Sequence, residues 1–146
     1  GFLYTLTIAT SALCFAFPLI QSRVHWDEAE KNWKKCSEET GAEENMDAVM
    51  RKEIMPTSDK GMCLIECLMR AESIYDQDGK FNKEGTRKHF DIIFEEQPQV
   101  IEEAMDIADD CSKIDIEGLN KCEAAMKHVT CAQVKFAQAK IVAIRD

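Results

Sequence analysis

Cys63 and Cys67, four residues apart in GMCLIECLMRAE (residues 61–72), are the first place to look for chemistry. A redox pair would stand as CxxC, and a zinc site would place histidine at short spacing from cysteine. His25, His89 and His128 are widely separated and have no cysteine partner at such a distance. On a helix, positions i and i+4 project side by side. Parallel Cβ vectors disfavour a bond between the two. Cys122 and Cys131 stand nine residues apart on one helical stretch, about 13 Å along the axis, beyond disulfide reach. Excluding both bonds leaves ten of the 15 pairings of six cysteines open. The helix carrying Cys63 and Cys67 is therefore tied twice to other elements, one turn apart. Nine residues also turn Cys131 about 180° from Cys122, so the last helix is held from two sides.

Other reactive arrangements fail on their spacing. DQDG, residues 76–79, would put Gly79 at the sixth position of a calcium loop, but Ile74 would be first and Gly85 twelfth, and neither supplies a side-chain ligand. It reads as a turn. No GxSxG elbow occurs, bridged cysteines are not nucleophiles, and no adjacent cysteines precede a His-Asp pair as in secreted phospholipases. The 27 acidic residues read as solvated faces rather than a catalytic pair. The expectation is a protein that is not an enzyme and takes no metal and no cofactor.

The elements that must position these cysteines are helical, because apolar residues recur at three and four throughout. Trp26, Ala29, Trp33 and Cys36 mark a first helix, and Met46, Val49, Met50 and Ile54 a second. Pro56-Thr57-Ser58 breaks the chain and caps a long helix through Tyr75. YDQDGKFN connects to a helix capped by Asn82 and running to about Gln97. Pro98 starts a fifth helix through about Lys113, as proline is tolerated in a first turn. Asp115 caps the sixth, which carries Leu119, Cys122, Met126, Val129 and Phe136. The fold class expected is all-α: one six-helix, disulfide-stapled domain with no strand and no repeat.

The first 22 residues hold no Asp, Glu, Lys or Arg, and the first charge is Arg23. At an N-terminus such a segment reads as a secretory signal, here without its initiator Met and basic start, rather than as a retained membrane anchor. Cleavage after Ser22 or Ala16 removes Cys14 and leaves a domain at 23–146 with six cysteines. An even count in a small secreted chain reads as a disulfide framework. The whole net charge of −9 stays on that domain. It argues against nucleic acid as a partner and against insertion at anionic lipid.

The spacing Cys36-x26-Cys63-x3-Cys67-x43-Cys111-x10-Cys122-x8-Cys131, with YDQDGKFN after the third cysteine, resembles the six-cysteine pattern of the insect general odorant- and pheromone-binding proteins. The x3 and x8 gaps are the specific part, and x43 is long. The resemblance spans roughly residues 26–136. It implies the pairs Cys36–Cys67, Cys63–Cys122 and Cys111–Cys131, one of the sets that geometry leaves open. It also implies an internal apolar cavity for small volatile or lipid-like molecules.

A domain of this size folds on its core alone, so three bridges ask for a reason. A cavity forfeits packing energy, and bridges that constrain the unfolded chain offset the loss. The apolar stripes on the third and fifth helices are wide, which ordinarily means core; part of them is expected to line the cavity instead. The expected lining is Val49, Ile65, Met69, Ile74, Phe90, Phe94, Met105, Ala108, Met126, Val129 and Phe136, with Tyr75 and His128 as polar groups that orient a ligand. Seven Met against two Tyr suit an adaptable lining. Val134, Phe136, Ile141, Val142 and Ile144 make the tail after Cys131 apolar. It either continues the last helix on the surface or lies across the cavity mouth as a lid that responds to acid through His89 and His128.

The reading is a secreted carrier, working as monomer or weak homodimer, that holds a small hydrophobic ligand in aqueous lymph and gives it up to an olfactory receptor. The alternative is a secreted protein of the same fold that scavenges amines or lipids or binds other proteins. A scavenger of amines needs carboxylates in its cavity, and here Asp and Glu are expected on outward faces. Saposin-like membrane action does not fit the cysteine spacing.

Overall fold

A computed structural model describes residues 26–142. The segment read as a secretory signal, residues 1–22, and the last four residues, Ile144 among them, lie outside the described residues. Among those described there are six α-helices and no strand: α1 (26–40), α2 (Met46–Met50), α3 (Asp59–Ala71), α4 (Lys83–Ile93), α5 (Ile101–Ser112) and α6 (Lys121–Gln138). None of them is long and apolar enough to cross a membrane.

Short polar side chains start the helices by accepting from first-turn amides that have no partner inside the helix. Asn45 caps α2 through the Ala48 N–H, Ser58 caps α3 through Gly61, and Asn82 caps α4 through Gly85. The sixth helix begins later than its periodicity suggests. Asp115 instead closes a local turn on the Glu117 N–H, Gly118 takes φ +80°, and Asn120 caps α6 through the amides of Cys122 and Glu123. Pro98 opens a single 3-10 turn, Pro98–Val100, before α5. Helix α4 stops at Ile93, short of Gln97.

Helix α3 also ends earlier than Tyr75. Its cap is Glu72, after which Ser73 turns left-handed at φ +61°. The chain doubles back so that Tyr75 and Phe81 form an isolated antiparallel bridge. Asp76 holds the intervening turn by accepting from the Asp78 and Lys80 amides, with Gly79 at φ +78°. The start of α4 lies directly against this turn: a Cβ on Gly85 would sit 2.0 Å from the Ser73 carbonyl oxygen, so only glycine fits. Tyr75 is thereby fixed at the foot of α4, 3% exposed.

Three disulfides join the helices: Cys36–Cys67, Cys63–Cys122 and Cys111–Cys131, with Cα–Cα distances of 5.6, 4.6 and 5.7 Å. They are the pairs that the resemblance implies. Helix α3 is tied to α1 and α6 from adjacent turns, and α6 to α3 and α5. Helix α3 packs along α6, and α5 bridges α4 and α6. Two apolar clusters result, one around Trp33, Val49, Leu64 and Leu68, the other around Phe90, Phe94, Met105 and Ile107.

Candidate functional site

The apolar face of α6 meets α4 and α5 around a cavity of about 330 Å³. Its floor and walls come from Met69 and Glu72 at the end of α3, from Ile74, Tyr75 and Phe81 in the turn, and from one face each of α4, α5 and α6. Phe90, Phe94 and Phe136 form an aromatic frame, with centroids 5.6 Å (Phe90–Phe94), 6.1 Å (Phe90–Phe136) and 6.5 Å (Phe94–Phe136) apart and the rings set edge-on or tilted. That is the arrangement aromatic quadrupoles favour. After Gln138 the chain leaves the helix: Lys140 turns left-handed at φ +56°, Ile141 donates its N–H to the Phe136 carbonyl, and Gln97 donates to the Val142 carbonyl. Ile141, 6% exposed, and Val142 complete the wall. The tail thus continues the helix as far as Gln138 and then folds back onto the cavity.

Of the residues expected in the lining, Met69, Ile74, Tyr75, Phe90, Phe94, Ala108, His128, Val129 and Phe136 surround this space. Val49, Ile65, Met105 and Met126 do not. Val49 and Ile65, 3% and 5% exposed, are sealed in the first cluster with Met126 packed on it, and Met105 is sealed in the second. Periodicity marks each as inward-facing, but their inward faces meet other helices at close packing. The methionines run against expectation as well: Met46, Met50 and Met126 pack on the first cluster, and only Met55 and Met69 reach the cavity.

Several lining residues were not anticipated. Ala132 stands one turn beyond His128 and one before Phe136, so extending the α6 stripe at i+4 finds it. Ile93 follows Phe90 by three in the same way. Glu53, Met55 and Phe81 come from connections and carry no periodic signal. Glu53 and Glu72 also correct the expectation that every carboxylate faces outward, because both lie in the wall. Glu72 stands 3.6 Å from His89 Nε2.

The polar groups of the wall are mostly spent on the protein itself. Thr86 donates its hydroxyl to the Asn82 carbonyl, Ser112 to that of Asp109, and Gln133 its amide to that of Glu53. Tyr75 Oη lies 2.5 Å from His128 Nδ1, with the two rings edge to face. Burial, with Glu66 nearby as the lesser cause, raises the Tyr75 phenol well above its ordinary range. Burial, with Lys127 secondary, lowers His128. Both are therefore neutral near neutrality. The sulfurs of Cys36 and Cys67 lie near Glu39 but are bonded to each other, which leaves no thiolate for a metal.

An apolar cavity with a few convergent polar groups, held in an all-α, disulfide-stapled domain, has the make-up of a small-molecule site. The sequence matches the PBP/GOBP family over residues 22–135, and the chain belongs to that family of pheromone- and general odorant-binding proteins. The fold is similar to that of odorant-binding protein dmelOBP28a from Drosophila melanogaster, with a TM-score of 0.69 at 23% identity over 83% of this chain and 99% of that one. No curated protein sequence matches the chain.

Proposed function

We propose that the chain is secreted as a domain beginning near residue 23 and carries small hydrophobic odorants or pheromones through an aqueous lymph to receptors. The observation that carries this is the cavity itself, about 330 Å³ and walled by Ile74, Phe90, Phe94, Ala108, Val129 and Phe136. Burying a ligand's apolar surface there supplies about 25 cal/mol per Å², which suits broad, micromolar binding. The three bridges make such a hollow tolerable. At roughly 24 cal/mol per Å³, an empty cavity of about 330 Å³ forfeits on the order of 8 kcal/mol. The bridges, spanning 31, 59 and 20 residues, contribute on the order of 11 kcal/mol through loop entropy.

Displacement of a fluorescent naphthylamine from the oxidised protein by a panel of volatiles tests the reading. Saturable binding displaced by some of them is expected; a folded, three-bridge protein that takes no probe would end it. The folded-back segment at Ile141 and Val142 acts as the lid. Deleting residues 137–146 is expected to flatten any difference in binding between neutral and acid pH, and an unchanged difference would remove the lid from the proposal.

A second reading rests on Glu53 and Glu72, which among the described residues give the wall two carboxylates beside no Lys or Arg. These suit an amine with an apolar body, and a scavenger would use them. Hydrophobic amines that displace the probe much better than neutral volatiles would favour it.

A further inference from the structure

Among the described residues, one buried side-chain donor of the cavity wall is left unspent. Thr86, Ser112 and Gln133 give theirs to backbone carbonyls. The Tyr75 hydroxyl has a single hydrogen-bond partner among the described residues, His128 Nδ1 at 2.5 Å. If Nδ1 carried the ring proton, the phenol proton would have no acceptor. The phenol therefore donates, Nδ1 accepts, and the imidazole proton sits on Nε2. Burial holds Tyr75 protonated and His128 neutral, so the two share one proton across this contact. Yet His128 Nε2 is buried and finds no hydrogen-bond partner among the described residues. A buried donor left in that state costs about 1–3 kcal/mol.

From this we infer that the cavity selects apolar molecules bearing one carbonyl-type oxygen, as in an aldehyde, ketone or ester, which accepts the His128 Nε2 proton. The inference rests on the carrier reading and narrows its ligand class. A hydrocarbon of the same shape fills the space but leaves Nε2 unpaired. An alcohol accepts from Nε2 but brings a proton that needs its own acceptor. A carbonyl oxygen completes the set and adds no further demand. Tyr75 is a positioning residue: it fixes which nitrogen donates.

The test compares 2-undecanone with 2-methyl-1-undecene, whose skeletons differ only by C=O for C=CH2, as competitors of the naphthylamine probe. Because the alkene leaves water more readily, the readout is the ketone-to-alkene affinity ratio in wild type against His128→Phe. That ratio is expected to fall about fivefold in the variant, the worth of one neutral hydrogen bond of about 1 kcal/mol. An unchanged ratio overturns the inference and leaves the carrier reading standing. Failure of wild type to bind the probe removes the carrier reading and this one with it. A protonated amine that keeps its preference in His128→Phe but loses it in Glu72→Gln, with the ketone ratio unmoved, also overturns it. Nitrogen NMR of the wild-type imidazole needs no variant. The Nε2–H tautomer with slowed proton exchange on adding 2-undecanone is expected, and an Nδ1–H tautomer in the free protein would refute it.

Discussion

The two apolar clusters of this domain are built from similar numbers of inward-facing residues, yet one is filled and the other borders a hollow. Around Trp33, Val49, Leu64, Ile65 and Leu68, the partly buried neighbours include Met46, Met50, Met55, Met69 and Met126. Around Phe90, Phe94, Met105 and Ile107 the partly buried neighbours include no Met, and Phe136 packs edge-on to Phe90 and tilted against Phe94. A thioether chain with three rotatable bonds moves into whatever gap its backbone leaves. A planar ring with two torsions, held against another ring, cannot. Flexible side chains close the first cluster and rigid ones frame the second. Met55 and Met69, which pack on the first cluster, also line the cavity.

The disulfides give the largest lever on this contrast. Converting Cys63 and Cys122 together to alanine releases a loop of 59 residues and is expected to cost about 4 kcal/mol, measured as a lower midpoint in denaturant. Converting Cys111 and Cys131 releases 20 residues and should cost about 3 kcal/mol. Cys111 lines the cavity and Cys63 does not, so only the second pair should also disturb probe binding at temperatures where both variants remain folded. Equal loss of binding in both would mean that the halves are not separable.

Removing one member of the buried ion pair comes next. Glu66 is 2% exposed and accepts from Arg70 Nε at 2.9 Å. Arg70→Ala leaves that carboxylate uncompensated and should cost about 3 kcal/mol; a cost below 1 kcal/mol would show Lys121, 4.0 Å away, taking over.

A smaller and sharper test places one substitution at two points of α6. Ala125 is fully buried on the turn next to Cys122, and Ala125→Leu should cost about 1–3 kcal/mol by overpacking. Ala132 faces the cavity two turns on. Ala132→Leu should leave the unfolding midpoint nearly unchanged while weakening probe binding. Equal destabilisation by both would mean that the hollow is not available as space.

The smallest expected effect is a slope with pH. His128 is held below its ordinary value near 6.5, first by burial and then by Lys127. The unfolded chain therefore takes up the proton at higher pH than the folded one. The stability this group supplies is present above pH 6.5 and is lost as pH falls through the folded value. The denaturant midpoint of wild type should decline over that window more steeply than that of His128→Phe. Parallel slopes would place the acid sensitivity elsewhere in the chain.

Much of this fold can be read from residue types. Period-3.6 stripes mark six helices, Ser58 and Asn82 mark two of their starts, and i+4 and i+9 spacing forbids the bonds Cys63–Cys67 and Cys122–Cys131. Reading fails where a local competitor is stronger than periodicity. Asn120 outcompetes Asp115 as the cap of α6 because Gly118 breaks the chain between them, and Ser73 at φ +61° ends α3 before Tyr75. Most of the cavity wall follows from inward faces on α4 and α6, whereas Glu53, Met55 and Phe81 lie on connections whose side chains have no period to betray them.

The sequence by itself determined that the chain is helical, acidic and stapled, because periodicity, charge and cysteine spacing act locally along the chain. Only the tertiary structure decided which inward faces touch and which stand apart. Val49 and Val129 are the same residue type on helices of the same kind, yet Val49 is sealed between helices and Val129 faces open space. That difference is a matter of distance between elements remote in sequence. Packing fixes such distances jointly for all the side chains between two helices, and no single stretch of residues encodes them.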